Sequence, residues 1–381
     1  MLKIQKHRRT STLVKPFSVG LVLACAAGPA LGQAWTFTHL TASGATQSQV
    51  RGVSPGGGMQ AGYTRFGSNW RASTWNGSTA TWTNLHPAGA INSFAHKTDG
   101  VQQVGDISAT GVVAHAALWS GSAASFVDLN PAGATTSFAS GVENGVQVGR
   151  ANVGGVFQAS VWTGSAASWT SLHPAGADRS ALFAISNGQF GGFARFGASQ
   201  PAHAALWTSA SPSSFIDLDP GVDPTWISEV WSLHGGQQVG DYGPLSGGFH
   251  AALWTGSAAS YVNLMPAGGL ESSAFAVHSG YQVGYTNFGS GAVAGLWNGT
   301  AASWEDLSVN FPASLGIHVR SFARDVWTDG STLYVAGYGE FFDPNTFSQT
   351  QQGFLMTRVI PAPGSLAMLA LAGFAAARRR R

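Results

Sequence analysis

The sequence predicts an all-β protein: a seven-bladed β-propeller of four-stranded blades with a targeting segment at each end. Only 9% of the 381 residues are charged and 51 are glycine, a composition that favours short strands and tight turns over helices. A tryptophan also recurs at intervals of 44, 43, 45, 47 and 43 residues, which predicts a repeat of propeller-blade length. The recurring residues are Trp75, Trp119, Trp162, Trp207, Trp254 and Trp297.

Each repeat contains four short stretches with strand character, which we call a, b, c and d. In one repeat, Ser-x-Ala at 137–139 begins strand a, Gln-Val-Gly at 147–149 forms strand b, and strand c ends at Trp162. Asn-Gly or Thr-Gly follows the tryptophan in several repeats, and Leu-x-Pro-Ala-Gly follows strand d; these patterns are typical of hairpin and type I turns. We expect the histidines in the variable slot to be turn residues. Four strands in about 45 residues is the content of a propeller blade.

The two ends of the repeat region are complementary parts of one blade. Residues 35–40 match strand d without strands a to c before them, and residues 353–356 match strand c without a strand d after them. We therefore expect strand 35–40 to pair with strand 353–358 and complete a seventh blade, made otherwise of residues 318–356. This blade has Met356 in place of the tryptophan and a longer b–c connection through residues 340–352. A β-solenoid also explains repeats, but it does not require complementary ends.

The N-terminal segment has the composition of an export signal. Residues 1–32 combine a basic stretch, an apolar run at 17–27 and small residues before Gln33, which predicts a cleaved signal peptide. Cys25, the only cysteine, lies in this segment, so the mature chain forms no disulfide. A lipoprotein acylated at Cys25 is the alternative, and the bulky Leu23 fits it poorly.

The repeat resembles the HAF-repeat group of extracellular bacterial proteins over residues 35–358. The resemblance rests on His-Ala-x-Leu-Trp at 115–119 and 250–254, followed by Asp-Leu, Ser-x-Ala and Gln-Val-Gly. Here His-Ala-Ala stands where the group usually has His-Ala-Phe, and three blades lack the histidine. The group has no agreed biochemical activity, so the resemblance implies a fold and an extracellular setting only.

The C-terminal tail, residues 359–381, resembles the PEP-CTERM sorting signal. The resemblance rests on Pro361 and Pro363, an apolar stretch, and the terminal Arg378, Arg379, Arg380 and Arg381, although the usual glutamate between the prolines is replaced by alanine. It implies a Gram-negative type of envelope, signal peptidase and an exosortase as partners, transient membrane association through the tail, and a final place at the cell surface or in the extracellular matrix. A plain C-terminal membrane anchor is the alternative.

Charge and motifs exclude several functional classes. Residues 33–360 carry 10 basic and 17 acidic groups, or −7, which gives no electrostatic footprint for nucleic acid. The mature chain has no cysteine, no His-Glu-x-x-His and no Gly-Lys-Ser/Thr loop. We therefore expect no cofactor and no catalytic centre.

Two groups of residues are weak metal candidates. Asp217, Asp219 and Asp223 bring three carboxylates into one loop that could bind Ca²⁺, although the first two occupy the ordinary strand-d and turn positions of the repeat. Three histidines also share one blade position, where we expect hydrogen bonds between blades instead of metal ligation. They are His115, His203 and His250. The repeated tryptophans are expected to form the core between blades.

One position varies although the frame around it repeats: the residue directly after the glycine that ends strand b. Because b–c and d–a connections emerge on one face of a propeller, we expect these residues near one rim, where aromatic and polar side chains suit sugar or peptide binding. Drift at an exposed position explains the same variation. The seven are Tyr63, Asp106, Arg150, Phe193, Asp241, Tyr285 and Tyr338.

The sequence thus favours an exported, noncatalytic surface or matrix protein that binds a polysaccharide or a surface protein. The alternative is a carbohydrate-active enzyme, which would need two carboxylates about 5 to 10 Å apart. Asp106 and Asp241 are the only acids among the seven variable positions, and they lie three blades apart. A purely structural role in the envelope is the third hypothesis.

Overall fold

The computed structural model describes residues 34–109 and 114–361. In this part of the chain, the strands form seven sheets of four antiparallel strands each, arranged as the blades of a propeller. The predicted fold class and blade count are confirmed.

The strands follow one another along the chain from the inside to the outside of each blade. The first strand of the described residues, β1 (Thr36–His39), is the exception, because it forms the outer strand of blade 7. Blade 1 contains β2 (Gln47–Val53), β3 (Gln60–Phe66), β4 (Asn69–Trp75) and β5 (Thr83–Asn84). Blade 2 contains β6 (Asn92–Thr98), β7 (Gln103–Ser108), β8 (Ala114–Trp119) and β9 (Val127–Asp128). Blade 3 contains β10 (Ala134–Glu143), β11 (Val146–Val153), β12 (Val156–Trp162) and β13 (Thr170–Ser171). Blade 4 contains β14 (Arg179–Ser186), β15 (Gln189–Arg195), β16 (Ala202–Trp207) and β17 (Phe215–Asp217). Blade 5 contains β18 (Trp226–His234), β19 (Gln237–Pro244), β20 (His250–Trp254) and β21 (Val262–Asn263). Blade 6 contains β22 (Glu271–His278), β23 (Tyr281–Asn287), β24 (Ala292–Trp297) and β25 (Glu305–Asp306). Blade 7 contains β26 (Ile317–Thr328), β27 (Thr332–Asp343), β28 (Ser348–Val359) and β1.

Single turns of 3-10 helix are the helical structure in residues 34–109 and 114–361. One precedes the outer strand in each of blades 1 to 6: Thr79–Thr81, Ala123–Ser125, Ala166–Ser168, Pro212–Ser214, Ala258–Ser260 and Ala301–Ser303. The others are Pro55–Gly57, Ser308–Asn310 and Ala313–Leu315. None of these turns is long and apolar enough to cross a membrane.

The N-terminal strand closes the ring. β1 is antiparallel to β28, with Thr36 opposite Thr357 and His39 opposite Phe354. The next residue, Leu40, donates its backbone N–H to the carbonyl of Gly353 at 2.8 Å. The predicted pairing of the two terminal half-repeats is therefore confirmed.

The core lies between neighbouring blades and repeats around the ring. The six tryptophans that end strand c are at most 1% exposed, and Met356 fills the same place in blade 7 at 0%. Trp119, for example, packs on Ala61, Ala72 and Leu85 of the preceding blade. The predicted interblade role of the tryptophans is confirmed.

A hydrogen bond between blades repeats seven times. The serine near the start of each strand a is fully buried and accepts the backbone N–H of a strand-c residue in the preceding blade. The donor–acceptor pairs are Ala72–Ser93, Ala116–Ser137, Ala159–Ser180, Ala204–Ser228, Ala251–Ser272, Ala294–Ser321 and Gly353–Ser48, at 2.7 to 2.9 Å. The serine side chain also contacts the residue in the variable slot of the Leu-x-Pro-Ala-Gly turn. For example, Oγ of Ser93 lies 2.7 Å from Nδ1 of His86. The slot histidines are turn residues, as predicted.

Blade 7 differs from the prediction in its b–c connection and its end. Residues 340–343 and 348–352 are paired strand instead of loop, because β27 and β28 extend into a long hairpin joined by residues 344–347. β28 also continues to Val359, and Ile360 packs against the blade 7 core and donates its N–H to Ser331 at 2.6 Å. The ordered propeller thus extends two residues beyond the predicted limit of 358.

The predicted signal peptide, residues 1–32, lies outside the described residues, as do Pro363 and Arg378–Arg381 of the sorting motif. Pro361 is described and half-buried.

Candidate functional site

Each innermost strand carries a β-bulge at an equivalent position in all seven blades, and β10 and β26 each have a second irregularity nearer their start. In blade 2, Ala95 pairs with Gly105 and Lys97 with Val104, so His96 between them has no partner in the ladder. A bulge of this kind re-aims one side chain out of the regular alternation of the strand. The seven bulge residues are Arg51, His96, Ser140, Phe183, Trp231, Phe275 and Arg324.

All seven bulge residues line one cavity of about 860 Å³. Because every inner strand contributes to it, the cavity lies on the axis of the ring. Residues 198–202, between strands b and c of blade 4, and Pro224 and Thr225, just before strand a of blade 5, also line it. The cavity therefore opens on the face that carries the b–c and d–a connections, and its volume is that of a small-molecule binding site.

The bulge residues were not identified from the sequence, although their signal is present. Each is the third residue after the repeated serine of strand a, and the seven range from serine to arginine and tryptophan while that serine is the same in every blade. The criterion applied to the position after strand b, a residue that varies within a repeated frame, would also have selected these seven residues. What the sequence does not reveal is the bulge, which decides which variable position faces the axis.

The seven residues predicted to form a rim lie on strand b and do not form an exposed rim. Tyr63, Asp106, Phe193 and Asp241 are buried, and Arg150, Tyr285 and Tyr338 are half-buried. Two of them, Arg150 and Phe193, line the axial cavity. Others pack between inner strands: the ring of Tyr63 lies edge-on to Phe94 of the next blade, with centroids 5.0 Å apart.

The two predicted acids hold bulge residues in position. Asp106 Oδ1 lies 2.7 Å from Nε2 of His96. Asp241 Oδ2 accepts hydrogen bonds from Nε1 of Trp231 at 2.9 Å and from Oγ of Ser273 at 2.7 Å. Neither acid lines the cavity; each orients the bulge side chain of its own blade.

Basic side chains dominate the charge of the cavity. One acidic side chain, Glu229, lines the cavity, together with six basic ones. The six are Arg51, Lys97, Arg150, Arg179, Arg195 and Arg324. Two of the six are ion-paired with acids that do not line the cavity. Lys97 Nζ lies 2.6 Å from Asp325 Oδ1, and Arg195 Nη2 lies 2.9 Å from Asp178 Oδ2.

Four of the cavity arginines have no carboxylate partner among the described residues: Arg51, Arg150, Arg179 and Arg324. Arg51 contacts the side chain of Gln49, and the other three lie over aromatic rings. Arg324 Cζ is 3.7 Å from the ring centroid of Phe275, and Arg150 Cζ is 4.7 Å from that of Phe138. Cation–π contacts stabilise a guanidinium but accept none of its N–H groups in the plane.

The unpaired guanidinium groups are electrostatically costly. The Nε atoms of Arg150 and Arg179 are buried without a hydrogen-bond partner in the described part of the chain, and an unmet buried donor costs roughly 1–3 kcal/mol. Burial, with the positive charge of Arg51, lowers the pKa of Arg324 to about 9. Burial and the charge of Arg179 likewise lower the pKa of Arg150. An anion in the cavity would relieve these costs.

The one acidic side chain in the cavity does not neutralise the arginines. Burial raises the pKa of Glu229 to about 8, and the neighbouring Asp241, its partner across the strand pair, adds to the rise. Arg150 and Arg179 oppose the rise but do not overcome it. The raised pKa favours the protonated, neutral form of Glu229. Burial also raises the pKa of Asp241 to about 6.

The bulge residues divide the cavity wall into two sides. Blades 4, 5 and 6 contribute Phe183, Trp231 and Phe275, which we call the aromatic side. Phe183 and Trp231 stack with ring centroids 4.4 Å apart. Blades 7, 1 and 2 follow around the ring and contribute the cationic side, made of Arg324, Arg51 and His96. Ser140 of blade 3 lies between the two sides.

The carboxylates proposed for calcium each have local partners. Asp217 Oδ1 accepts the backbone N–H of Asp219 at 2.8 Å, Asp219 Oδ1 accepts the hydroxyl of Ser228 at 3.0 Å, and Asp223 Oδ1 accepts the N–H of Thr225 at 2.9 Å. Residues 34–109 and 114–361 contain no group of three histidine, cysteine or acidic residues arranged to hold a metal ion.

The three histidines at the shared strand-c position bond within their own blade, which corrects the expectation of contacts between blades. Nδ1 of His115 lies 2.8 Å from Asp128 Oδ2 on the adjacent strand d, and His203 lies 2.8 Å from Asp217 in the same way. The amide of Asn263 is 3.1 Å from Nδ1 of His250. These pairs tie the short outer strand to its blade.

The described chain is a seven-bladed β-propeller with an axial cavity. No protein-family model matches the chain, and no curated protein sequence matches it. Among solved structures it is similar to TolB from Acinetobacter baumannii, with 11% identity, a TM-score of 0.45 and coverage of 65% of this chain and 62% of that one. It is also similar to puromycin hydrolase (12% identity, TM-score 0.45, coverage 82% and 51%) and to the acylaminoacyl peptidase of Pyrococcus horikoshii (9%, 0.47, 78% and 51%). The chain thus spans less than two thirds of the length of these three proteins, and no site or activity is transferred from them.

Proposed function

We propose that this protein is an exported, noncatalytic binding protein that holds a polysaccharide or a segment of a surface protein in its axial cavity. The observation that supports this most strongly is the convergence of seven bulge side chains, one from each blade, on one cavity of about 860 Å³. A bulge is not required for the strand pairing of the blade, and its repetition at the same position in seven blades points to a use for the side chains it re-aims.

The cavity has the composition of a recognition site more than of a catalytic one. Flat aromatic rings offer contact area, and guanidinium groups fix orientation through directed hydrogen bonds. Binding sites in general combine apolar walls with a few placed polar groups. The aromatic and cationic sides of this cavity meet that description.

A carbohydrate-active enzyme is the second candidate, and the raised pKa values of Glu229 and Asp241 are the observation in its favour, since glycosidases use a carboxylic acid as proton donor. However, Asp241 is bound by Trp231 and Ser273 and does not line the cavity. A mechanism with two carboxyl groups needs both at the substrate. The noncatalytic function is therefore the proposal.

The proposed site of action is the cell surface or extracellular matrix, reached through the signal peptide and the exosortase-processed tail. This rests on the resemblance of the tail described above. Deletion of Arg378–Arg381 should leave secretion intact and prevent tail processing. Mass spectrometry of the native mature protein tests the proposal, and an intact C-terminus would contradict it.

The binding function is tested by a glycan and matrix-protein array probed with the full propeller, with hydrolysis products assayed in parallel. We expect specific binding, competed by soluble ligand, without turnover. Turnover that is abolished by Glu229→Gln would establish the enzyme instead. Binding to nothing on the array would favour a purely structural role in the envelope.

A further inference from the structure

We infer that the axial cavity binds a carboxylated sugar residue, with the carboxylate at the cationic side and one face of the sugar ring against the aromatic side. This inference rests on the proposed binding function and adds to it the chemical class of the ligand. It concerns a site formed by the bulge residues and by the cavity arginines of blades 3 and 4.

The charge of the cavity requires an anion. On the cationic side, Arg51 and Arg324 lack carboxylate partners in the described chain; Arg150 and Arg179, on blades 3 and 4, lack them too. The raised pKa of Glu229 reduces the negative charge that this side chain brings to the cavity. A planar carboxylate matches the forked geometry of a guanidinium and accepts two of its N–H groups at once.

The aromatic side selects among anions. Phosphate and sulfate have no apolar face that could pack on the aromatic side. A pyranose ring has an apolar face of C–H groups that packs on flat rings, and its hydroxyls can both donate and accept hydrogen bonds. His96, Ser140 and the protonated Glu229 also line the cavity and supply such partners.

The charge of the whole molecule distinguishes this ligand from a long, highly charged polymer such as nucleic acid. The propeller body carries −7, so it repels a polyanion at long range, while the cavity attracts a single anionic unit at short range. A polymer in which carboxylated sugars are neutralised by bound cations or alternate with neutral units satisfies both conditions. The axial position, open on one face, admits a chain end or a side branch.

The test is isothermal titration calorimetry of the mature protein with four probes: tetragalacturonate, its fully methyl-esterified form, orthophosphate, and benzoate as an aromatic acid. We expect tetragalacturonate to bind, with affinity that falls as salt rises. The ester should bind at least about tenfold more weakly because it loses a charge-assisted hydrogen bond, which contributes roughly 1.5–3 kcal/mol. Orthophosphate and benzoate should also bind more weakly, because they lack the sugar ring and its hydroxyl groups.

Two variants and a matched control locate the site. Arg324→Gln should weaken tetragalacturonate binding about tenfold or more, and Phe275→Leu should weaken it while retaining the preference for the acid over the ester. Arg71→Gln, at a partly buried arginine on strand c of blade 1 that does not line the cavity, should bind as the parent does. Replacing Arg324 removes an unpaired charge and also its contact with Phe275, so the melting temperature of each variant is measured first; a loss of binding in a folded variant then reports on the site.

Each alternative outcome overturns the inference. Equal binding of acid and ester would mean a neutral sugar site, and equal binding of benzoate or phosphate would mean a site for small anions. Binding that is unchanged in Arg324→Gln would place the ligand elsewhere. No binding of any probe also refutes the inference; if the array described above still finds a ligand, the proposed binding function survives and only the ligand class is wrong.

Discussion

Replacing Leu40 by alanine tests the closure of the ring with a single substitution. Leu40 follows β1 and is fully buried among Val50, Trp75 and Leu355. It is one of seven leucines in this position, all 0% exposed, and each donates its backbone N–H to strand c: Leu40, Leu85, Leu129, Leu172, Leu218, Leu264 and Leu307. For the other six leucines, this hydrogen bond joins segments that are neighbours in sequence within one blade. For Leu40 it joins the first strand of the propeller to β28, the last one.

A buried Leu→Ala substitution costs about 2–5 kcal/mol, so Leu40→Ala should cost as much as Leu172→Ala in blade 3. Removing residues 34–41 should cost more, because it also removes the four-residue pairing of β1 with β28 and exposes the edge of β28. A loss of about 5 kcal/mol or more is a large part of a typical stability of roughly 5–15 kcal/mol. At about 2 °C per kcal/mol for a domain of this size, the melting temperature should fall by about 10 °C.

Urea unfolding followed by tryptophan fluorescence measures the two point variants, and thermal unfolding measures the deletion. Two controls are matched to the closure argument. Removal of residues 362–381 should leave the melting temperature unchanged, and a synthetic peptide of residues 34–42 should restore stability to the truncated chain. The closure argument fails if Leu40→Ala is harmless while Leu172→Ala is costly, or if the deletion shifts the melting temperature by less than about 2 °C.

Two further predictions concern buried polar groups. Ser137→Ala leaves the N–H of Ala116 without an acceptor and should lower the free energy of unfolding by about 1–3 kcal/mol. Ser120→Ala, at an exposed serine, should have no measurable effect. Equal urea midpoints for the two variants would contradict the role of the seven buried serines that bond between blades. The pKa of Glu229 is about 8 in the folded state, against an ordinary value of 4.5. Between these two pH values the folded state therefore binds more protons than the unfolded state. The free energy of unfolding should fall as pH rises through this range. Glu229→Gln should flatten this part of the pH dependence of the urea midpoint between pH 5 and 8.5, and an unchanged slope would show that Glu229 is not the buried acid responsible.

The blade count and the closure could be predicted from the sequence because they depend on repeated residues. The tryptophan that ends strand c recurs in six of the seven blades, and the leucine after strand d recurs in all seven. Each is required by packing that is the same between every pair of blades. The half-repeat at residues 35–40 carries the same leucine as the complete repeats. Geometry that is identical in every repeat leaves a trace in every repeat.

The orientation of the variable side chains could not be predicted, because it depends on strand register. On a regular strand, residues alternate between faces, and one unpaired residue reverses the alternation for every residue after it. The bulge at Arg324, between Ala323 and Asp325, therefore sends an arginine to the axis where simple alternation does not place it. The length of the blade 7 hairpin escaped prediction for a related reason: residues 348–352 are polar and resemble a loop, yet their backbone pairs fully with β27.

The separation between ladder and bulge also explains how this propeller can carry an asymmetric site on a symmetric frame. A bulge residue lies outside the strand pairing, so its side chain can change from Ser140 to Trp231 without loss of a ladder hydrogen bond. The residues beside it cannot change so freely, since Ala139 and Val230 are fully buried in core clusters with residues of the preceding blade. Substitution is therefore tolerated at seven positions that all face one cavity, and it alters the cavity without altering the fold. On this argument, exchanging the aromatic and cationic sides, by Phe275→Arg together with Arg324→Phe, should leave the propeller folded and change what it binds; unfolding of that double variant would show that the bulge positions are part of the frame.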